Sequence, residues 1–475
     1  MAEALSVLAV DLGGSTLRVG LIGPDGSLLR LHSAPTPMAA DGNEADPAAW
    51  WDAFQTGVAE LGPLDAVQAV ALTGMTRTQV VLGPAGPLRP AITWRDTRAV
   101  LDRPLPDDPE TPSVNPFHPV ARLLWLHRHE PEIMAKAIAV VDPKDELARR
   151  LTGRMGSDRV SAARLIASGR LLRQLGLPGL LPPIVEPGAI LAPVSVGLPG
   201  PLGPLAGRPV VLAGHDSWAC ALGLGAMRHG RAYNISGTTE VFGVLSRDAA
   251  TADGLVSADW GQGLHQLGGP SASGGNTVAW AMGVLAPGEA IGPAMERLLA
   301  CAGRHAPLLF LPHLAGERAP FWDADLRGAF LGLSAEHTAA DLALAVAEGV
   351  AFLNRAVLDR AERALGMAVD EIRYGGGGAA SPAWAQIKAD VTGRTLAVTE
   401  AAETGLLGAA IAGWRALGHD TGAMVRLRSR HRPNPAKRQH YDRLWSLWQQ
   451  AGAAIRPISH ALSSSEWERD RGAPP

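Results

Sequence analysis

The amino-acid sequence predicts an α/β protein of two or three domains. At 475 residues the chain is long for a single domain. Short apolar runs typical of buried strands are followed by stretches with the apolar spacing of helices. One theme, a buried strand with an acid after it and a turn of glycine and hydroxyl residues, occurs twice about 200 residues apart. The repeat makes coincidence a poorer explanation for either copy.

The composition excludes several classes of protein. With 47% hydrophobic and 19% charged residues the chain can bury large cores, and a net charge of −3 argues against a nucleic-acid partner. Cys220 and Cys301 give neither a disulfide framework nor a metal spacing. Residues 1–6 carry no basic signal segment, and the longest uncharged stretch, 187–207, contains five prolines. We therefore expect a cytoplasmic protein without a membrane partner.

The opening hairpin is the first candidate ligand site. Val7–Val10 predicts a buried strand, Asp11 follows it, and Leu17–Ile22 returns as a second strand. Between them, Gly13–Thr16 offers backbone N–H groups and hydroxyls that suit a phosphate. An acid beside a phosphate repels it unless Mg²⁺ lies between them. The stretch predicts a magnesium–nucleotide site, and a plain glycine-rich hairpin is the alternative.

Two common nucleotide-binding motifs are absent from the sequence. The chain has four lysines, none of which follows a glycine, so there is no Walker A loop. The dinucleotide fingerprint G-x-G-x-x-G is also missing. A nucleotide would therefore bind here without either motif.

Polar residues follow several predicted strands in the first half. A strand over Val67–Thr73 leads to Arg77, and Pro90–Trp94 leads to Asp96. Strand ends of this kind are where α/β folds place ligands. We also predict a helix from the N-cap Asp46 and further helices over 121–129 and 143–151, whereas proline and glycine over 176–209 predict a long loop.

The second copy of the theme begins with the strand Pro209–Ala213, which Gly214, His215 and Asp216 follow. A further strand, Arg231–Ile235, runs into Ser236–Thr239. These residues predict a second phosphate-binding turn. For Asp216 taken alone the alternative is a strand-end cap, and for Ser236–Thr239 taken alone it is a simple turn.

A glycine-rich segment follows a long predicted helix in the second half. Thr338 and Asp341 predict a capping box, with a helix to Leu365. The strand Glu371–Tyr374 then meets four glycines, 375–378, before Ser381 caps the next helix. A surface free of side chains suits a base or ribose, and close strand–helix packing is the alternative. Beyond it we predict a strand over 396–399, a helix over 406–417 and a frayed polar tail after Ser459.

Taken together, these residues resemble the FGGY carbohydrate kinases of the actin/hexokinase/Hsp70 ATPase superfamily. The most specific stretch, 311–352, is similar to the second signature of that family and reads LPHLAGERAPFWDADLRGAFLGLSAEHTAADLALAVAEGVAF. Shorter matches occur in the family's order at Asp11–Thr16, Pro90–Asp96, Pro143–Leu147, Leu151–Gly153, Gly214–Asp216, Ser236–Glu240 and Gly375–Asp390. Within the family, the sequence of these motifs is most similar to that of the xylulokinases.

The resemblance implies two ribonuclease-H-like domains with a central cleft, and ATP and Mg²⁺ as cofactors. Residues 1–245 would bind the sugar and residues 246–475 the nucleotide. Asp216 matches the catalytic base, and Asp11 with Asp216 matches the metal site. The cofactor contacts carried over by the resemblance are Gly13, Gly14, Ser15, Thr16, Gly237, Thr238, Gly376, Gly377 and Ser381.

The sugar pocket departs from the xylulokinase pattern. Arg77 stands where xylulokinases have the histidine that contacts the ketose, and Ser217 replaces an asparagine after the matched base. Arg77, Trp94 and Asp96 are the candidate acceptor-binding residues; a core position for Trp94 and a surface salt bridge between Arg77 and Asp96 are the alternatives. We expect D-xylulose or a related ketose as acceptor. A polyol or sugar acid of the glycerol, erythritol or gluconate type is the first alternative.

Two further functional hypotheses do not involve sugar phosphorylation. One is an actin-like ATPase without a small-molecule acceptor, and the other is a catalytically silent sugar sensor. Asp216 argues against the sensor, and the segment around Trp94 argues against the ATPase. The expected partner is thus a small sugar or polyol, with no nucleic acid, and a homodimer is allowed.

Overall fold

The computed structural model describes residues 4–99, 118–177, 179–303 and 306–463. The chain forms two compact units. Unit 1 runs to Gly223 and also contains 260–262 and 403–425; unit 2 holds 224–259, 263–402 and the chain from Arg426 onward. The predicted α/β class is confirmed, and the boundary after residue 245 stays a prediction. The frayed tail predicted after Ser459 is wrong for residues 460–463, which continue the last helix. The predictions for residues 1–3 and for the tail beyond Ser463 lie outside the described residues.

The main sheet of unit 1 has the strand order β12-β13-β5-β1-β2-β3. Strand β1 is antiparallel to β2 and parallel to β5, which in turn is parallel to β13. The carboxyl ends of β1, β5 and β13 therefore lie at one edge, which is where the predicted polar residues follow. The strands of the first half are β1 (Ser6–Leu12), β2 (Thr16–Ile22), β3 (Leu28–Pro35), β4 (Glu44–Ala45), β5 (Val67–Gly74), β6 (Val80–Gly83), β7 (Gly86–Pro87), β8 (Ala91–Ile92), β9 (Ala139–Val141), β10 (Ser157–Asp158), β11 (Ile184–Val185), β12 (Ile190–Pro193) and β13 (Pro209–Leu212).

The first helix shows how the sequence sets the helix boundaries. Asp46 accepts a hydrogen bond from the Ala48 amide at 2.8 Å, and Pro47 occupies the first helical position. Trp50 and Phe54 are fully buried against the sheet, as their spacing predicts. The helices of unit 1 in this half are α1 (Pro47–Glu60), α2 (Pro119–His129), α3 (Pro131–Lys136), α4 (Pro143–Thr152), α5 (Ala163–Ala167), α6 (Gly169–Gln174) and α7 (Asp216–Gly223).

The predicted long loop over 176–209 is partly wrong. This segment contains β11, β12 and a 3₁₀ turn over Gly200–Leu205. Strand β12 pairs antiparallel with β13 at the edge of the sheet, with Pro193 as its last residue. Proline is tolerated at an edge because only one side of the strand needs its N–H groups. Proline content therefore concealed a short edge strand.

The main sheet of unit 2 has the order β16-β17-β15-β14-β20-β21-β22. Strand β14 is antiparallel to β15 and parallel to β20, with Ile235 beside Gly375. The turn after β14 and the glycine segment after β20 are thus neighbours. The strands of unit 2 are β14 (Arg231–Ser236), β15 (Glu240–Ser246), β16 (Val256–Asp259), β17 (His265–Pro270), β18 (Leu309–Leu311), β19 (Ala329–Leu331), β20 (Glu371–Gly375), β21 (Thr395–Thr399) and β22 (Leu427–His431).

The long central helix of unit 2 confirms the predicted capping box. The Thr338 amide donates to Asp341 at 2.9 Å, and Gly366 ends the helix in the left-handed conformation. The helices of the second half are α8 (Gly275–Leu285), α9 (Ile291–Cys301), α10 (Ala339–Leu365), α11 (Pro382–Thr392), α12 (Thr404–Ala416) and α13 (Arg438–Ser463), of which α12 belongs to unit 1. No helix within the described ranges is long and apolar enough to cross a membrane.

Candidate active site

Asp11 lies at the carboxyl edge of the unit 1 sheet. It is the penultimate residue of β1, it is 8% exposed, and its Oδ1 atom has no hydrogen-bond partner among the described residues. Burial, and after it the negative charge of Asp216, raises the pKa of Asp11 from 3.8 to about 7. The two acids that the sequence singled out therefore act on each other across the sheet edge.

Asp216 begins helix α7 rather than ending a strand. Strand β13 stops at Leu212, and Gly214 turns the chain with a φ of +64°. The Asp216 side chain is 39% exposed, and its Oδ1 atom accepts the Ser217 amide at 2.6 Å and the Ser217 hydroxyl at 3.1 Å. Among the described residues nothing donates to Oδ2. Ser217 thus fixes one carboxylate oxygen and leaves the other for a ligand.

The glycine turn of the first hairpin is held by its own backbone. The Gly13 amide donates to the Thr16 carbonyl at 3.1 Å, and the Thr36 hydroxyl donates to the Gly13 carbonyl at 2.7 Å. A side chain at Gly14 would lie 3.0 Å from Nε1 of Trp94. The predicted phosphate turn and the predicted acceptor residue Trp94 are therefore adjacent, while Trp94 also packs against the unit 1 core, as its alternative reading proposed.

Arg77 and Asp96 do not form the mutual salt bridge that we considered. Asp96 is 1% exposed and pairs with Arg98, whose Nε atom lies 2.7 Å from Oδ2. Arg77 follows β5 with a left-handed φ of 60°, which is unusual for a side chain of this size. Burial lowers the pKa of Arg77, whereas the charges of Asp216 and Asp142 act in the opposite direction. Arg77 therefore stands near the candidate base, and Asp96 is engaged elsewhere.

Sequence reasoning missed the start of α12. Glu403 pairs with Arg18 at 2.7 Å, and both charges act on Asp11. A Cβ atom at Gly405 would lie 2.7 Å from Oδ2 of Asp11, so a glycine is needed there. No local motif marks these residues, which are separated from Asp11 by most of the sequence. Only the packing of α12 on β1 brings them together.

The acids of unit 1 suit a hard divalent cation. No group of three or more histidine, cysteine or acidic side chains that could hold a metal occurs in the part of the chain that the structure describes. Magnesium does not need such a cage, since it is commonly bound by one or two carboxylates, water and substrate phosphates. The unpartnered Asp11 oxygen and its repulsion by Asp216 are both features that a cation would relieve. The residues present therefore fit Mg²⁺.

In unit 2 the turn after β14 is exposed at Gly237 and Thr238. Backbone groups of α8 hold it, because the amides of Gly275 and Asn276 donate to the carbonyls of Gly237 and Thr238 at 3.0 and 2.8 Å. Arg318 donates to the Thr239 hydroxyl at 3.2 Å. The predicted phosphate turn is thus a supported loop with its outer surface open.

The predicted glycine platform lies beside that turn. Gly376 has a φ of +88°, and a Cβ atom there would lie 2.5 Å from the Ser236 carbonyl oxygen. Gly377 is exposed, and a Cβ atom on it would lie 4.0 Å from that oxygen. Ser381 caps α11 by accepting the Trp384 amide at 3.0 Å and donates to Glu296. Tight packing explains Gly376, whereas nothing in the packing requires a glycine at Gly377.

A buried ion pair supports both loops of unit 2. Nζ of Lys388 lies 2.8 Å from each carboxylate oxygen of Glu240 and 2.6 Å from Oδ1 of Asn354. Lys388 comes from α11, and Glu240 directly follows the exposed turn. The pair therefore ties the helix after the platform to the strand after the turn.

Two family models match the chain. The N-terminal domain of the FGGY family of carbohydrate kinases covers residues 6–223, and its C-terminal domain covers residues 232–417. The chain belongs to the FGGY family of carbohydrate kinases.

Individual relatives of this FGGY kinase agree with the family models. The xylulose kinase of Escherichia coli (strain K12) is 30% identical over 85% of this chain and 88% of its own length. The structure of a xylulose kinase from Rhodospirillum rubrum covers 96% of this chain and all of its own, with 27% identity and a TM-score of 0.81. A gluconate kinase from Lactobacillus acidophilus shares the fold, with a TM-score of 0.85 at 22% identity, 95% coverage of this chain and 98% of its own. The protein is therefore a carbohydrate kinase, and enzymes of this family use ATP.

Proposed function

We propose that this FGGY kinase transfers the γ-phosphoryl group of ATP to a hydroxyl of a small open-chain sugar, with D-xylulose as the reference acceptor. The observation that carries the proposal is the pair of Asp11 and Asp216 at the edge of the unit 1 sheet. One acid is buried and incompletely bonded, and the other is half-exposed with one oxygen open. The similarity to xylulose kinases supports the choice of acceptor.

Asp216 is the proposed base. Its open Oδ2 atom orients the acceptor hydroxyl and takes the proton as the oxygen attacks phosphorus. Ser217 holds the other oxygen, so the carboxylate does not need to reorganise during transfer. Arg77 and Trp94 would position the rest of the acceptor; Asp96, which Arg98 engages, would act through that pair.

Asp11 and Asp216 are the proposed metal-binding residues. When bound, Mg²⁺ supplies positive charge that neutralises the phosphates of ATP. Asp11 contributes a buried oxygen with no competing hydrogen bond among the described residues. Glu403 and Arg18 set the local charge around it.

The nucleotide contacts are proposed for each unit separately. In unit 1, Gly13, Gly14, Ser15 and Thr16 present a turn to a phosphate, and in unit 2 Gly237 and Thr238 do the same. Gly376 and Gly377 offer a surface for the adenosine, and Ser381 orients α11 through its cap rather than through a free hydroxyl. A cytoplasmic location and a homodimer remain predictions.

An ADP-release assay with and without D-xylulose, polyols and aldonic acids tests the proposal against an acceptor-independent ATPase. A kinase gives acceptor-stimulated ADP release together with a phosphorylated product. Equal release with and without every acceptor would contradict the proposal.

A further inference from the structure

A buried threonine connects strand β5 to the loop that precedes helix α7. Thr73, the penultimate residue of β5, is fully buried, and its hydroxyl donates to the carbonyl oxygen of Gly214 at 3.0 Å. The backbone pairing of β13 with β5 extends as far as Leu212 beside Leu72. The side chain of Thr73 therefore continues the connection between these two segments beyond the paired strands.

This hydrogen bond lies between the two acids of the candidate active site. Asp11 is the register partner of Thr73 in the parallel pairing of β1 with β5. Gly214 precedes Asp216 by two residues, so a bond to its carbonyl oxygen fixes the point from which the chain enters α7. The Thr73 hydroxyl thus ties the strand beside one acid to the loop that carries the other.

The other side of this loop is held by residues of α7. Gly214 has a φ of +64°, and a Cβ atom there would lie 2.8 Å from the ring of Trp218. The Nε1 atom of Trp218 donates to the Trp260 carbonyl at 3.0 Å, and the Trp218 amide donates to Nδ1 of His215 at 3.3 Å. The helix side of the loop is therefore anchored, and the Thr73 bond adds an anchor on its sheet side.

Stability alone does not account for a hydroxyl at this position of β5. Valine has nearly the same shape, favours strands and carries no polar atom, and Val67–Leu72 contains only apolar side chains apart from Gln68. A buried hydroxyl loses its contact with water, so the net stabilisation from its hydrogen bond is small. The larger consequence is geometric, because the bond gives the buried carbonyl of Gly214 a donor in one fixed direction.

We propose that Thr73 is a positioning residue for Asp216: its hydroxyl holds the Gly214 carbonyl so that the carboxylate at the start of α7 faces the acceptor hydroxyl. The proposal rests on the kinase function proposed above, in which Asp216 is the base. Without the hydroxyl, the buried Gly214 carbonyl loses a donor, and the loop shifts toward another one. A displacement of about 1 Å at a reacting group costs about 10²-fold in rate. Thr73 thus acts on the reaction through the loop of the base.

The test compares Thr73→Val, which keeps the shape and removes the donor, with Thr73→Ser, which keeps the donor and removes a methyl group. We expect kcat, expressed per ATP-binding site counted by calorimetric titration, to fall by about 10-fold or more in Thr73→Val, with the KM for ATP nearly unchanged. Thr73→Ser should keep most of the wild-type kcat, although the gap left by the methyl group lowers its melting temperature. A purely structural role would instead make kcat follow the melting temperature in both variants.

Thr392→Val is the matched control. Thr392 is also buried, and its hydroxyl donates to the Lys388 carbonyl at 2.7 Å, but it is the last residue of α11 in unit 2. This variant should lose stability without a change in kcat. If Thr73→Val does not fold, Thr73→Ala, which also lacks the donor, replaces it in the comparison.

The outcomes separate this inference from the proposed function. Equal kcat in Thr73→Val and Thr392→Val, or equal losses of kcat in Thr73→Val and Thr73→Ser, would overturn the positioning role. Either result, together with an inactive Asp216→Asn variant, would leave the kinase proposal intact. Failure of every acceptor to stimulate ADP release in the wild type would instead contradict the proposed function itself.

Discussion

The two units share one local arrangement of strands, but they differ in whether the buried acid of that arrangement has partners for its charge. In each, a hairpin is followed by a later strand parallel to its first strand: β1–β2 with β5 in unit 1, and β14–β15 with β20 in unit 2. In unit 2 the buried acid of this arrangement, Glu240, is fully engaged by Lys388 and two asparagines. In unit 1 the buried Asp11 keeps an oxygen that no described residue satisfies.

A buried carboxylate with a full set of partners, such as Glu240, stabilises the fold, whereas one with an unpaired oxygen, such as Asp11, indicates a ligand-binding position. A buried charge without partners raises the free energy of the folded state, so a protein keeps one only where something else satisfies it. The two candidate nucleotide segments of unit 2, 236–239 and 375–380, by contrast, carry no charged side chain and are exposed to solvent at Gly237 and Gly377. We therefore expect substitutions in unit 1 to change chemistry and buried substitutions in unit 2 to change stability.

The largest effect should come from Asp216→Asn. Asparagine keeps the shape of the side chain and accepts the Ser217 amide, but it cannot take a proton. Loss of a general base typically costs about 10²–10⁴-fold, so kcat with the best acceptor should fall by that factor while ATP affinity, measured by titration, stays nearly the same. Ser217→Ala, which removes one of the two bonds to Oδ1, serves as the milder comparison. Near wild-type turnover in Asp216→Asn would remove Asp216 from the mechanism.

Lys388→Met tests the unit 2 side of the comparison. Methionine fills similar space but leaves the Glu240 carboxylate buried without its cation, which costs about 3–5 kcal/mol in known cases. Chemical denaturation should show a loss of that size in the free energy of unfolding. The double variant Glu240→Gln with Lys388→Met should recover part of it, because no full charge is then left unpaired. A loss below about 1 kcal/mol in the single variant would mean that the pair does not stabilise unit 2.

The sequence predicted local features of this site better than long-range ones. The caps at Asp46, Thr338 and Ser381 depend on neighbouring residues, and all three occur in the structure. The joint metal site of Asp11 and Asp216 was expected from the family resemblance alone, and Asp216 begins a helix rather than ending a strand. Strand β12 was missed because an edge strand tolerates the prolines that usually mark a loop.

The residues that surround Asp11 and Arg77 could not be predicted from the sequence, because only the packing of distant elements brings them together. Glu403 and Gly405 reach Asp11 only through the packing of α12 on β1. Arg122 reaches Arg77 only through the packing of α2, where it donates to the Arg77 carbonyl oxygen. An arginine on a predicted helix is ordinarily solvated, so the burial of Arg122 has no sequence signal.

A pH titration of stability tests the unsatisfied charge at Asp11. Its pKa is about 7 in the folded protein and 3.8 in the reference state, so the folded form binds the proton more tightly. Its contribution to stability is therefore largest below pH 4 and is lost as the pH rises to about 7, by at most about 4 kcal/mol. Without metal, Asp11→Asn should become more stable than wild type across that interval. Magnesium should raise the melting temperature of wild type more at pH 8 than at pH 6, and should not do so for Asp11→Asn. A pH-independent difference between the two proteins would contradict the raised pKa.

The smallest effect is expected at Gly377, where the comparison is sharpest because packing and ligand binding can be separated. Gly376 cannot report on the nucleotide, since its positive φ and its approach to Ser236 make any side chain disruptive. Gly377 is exposed and has room for a Cβ atom, so Gly377→Val should leave the melting temperature nearly unchanged. If adenosine lies on this surface, the two added methyl groups should weaken ATP binding by about 10-fold, or about 1.4 kcal/mol, without changing acceptor affinity. Gly292→Val on α9 is the matched control, because Gly292 is also exposed with open space around it. Equal ATP affinity in both variants would show that the glycine segment serves strand–helix packing alone, and the nucleotide surface of unit 2 would then have to be sought at Gly237 and Thr238.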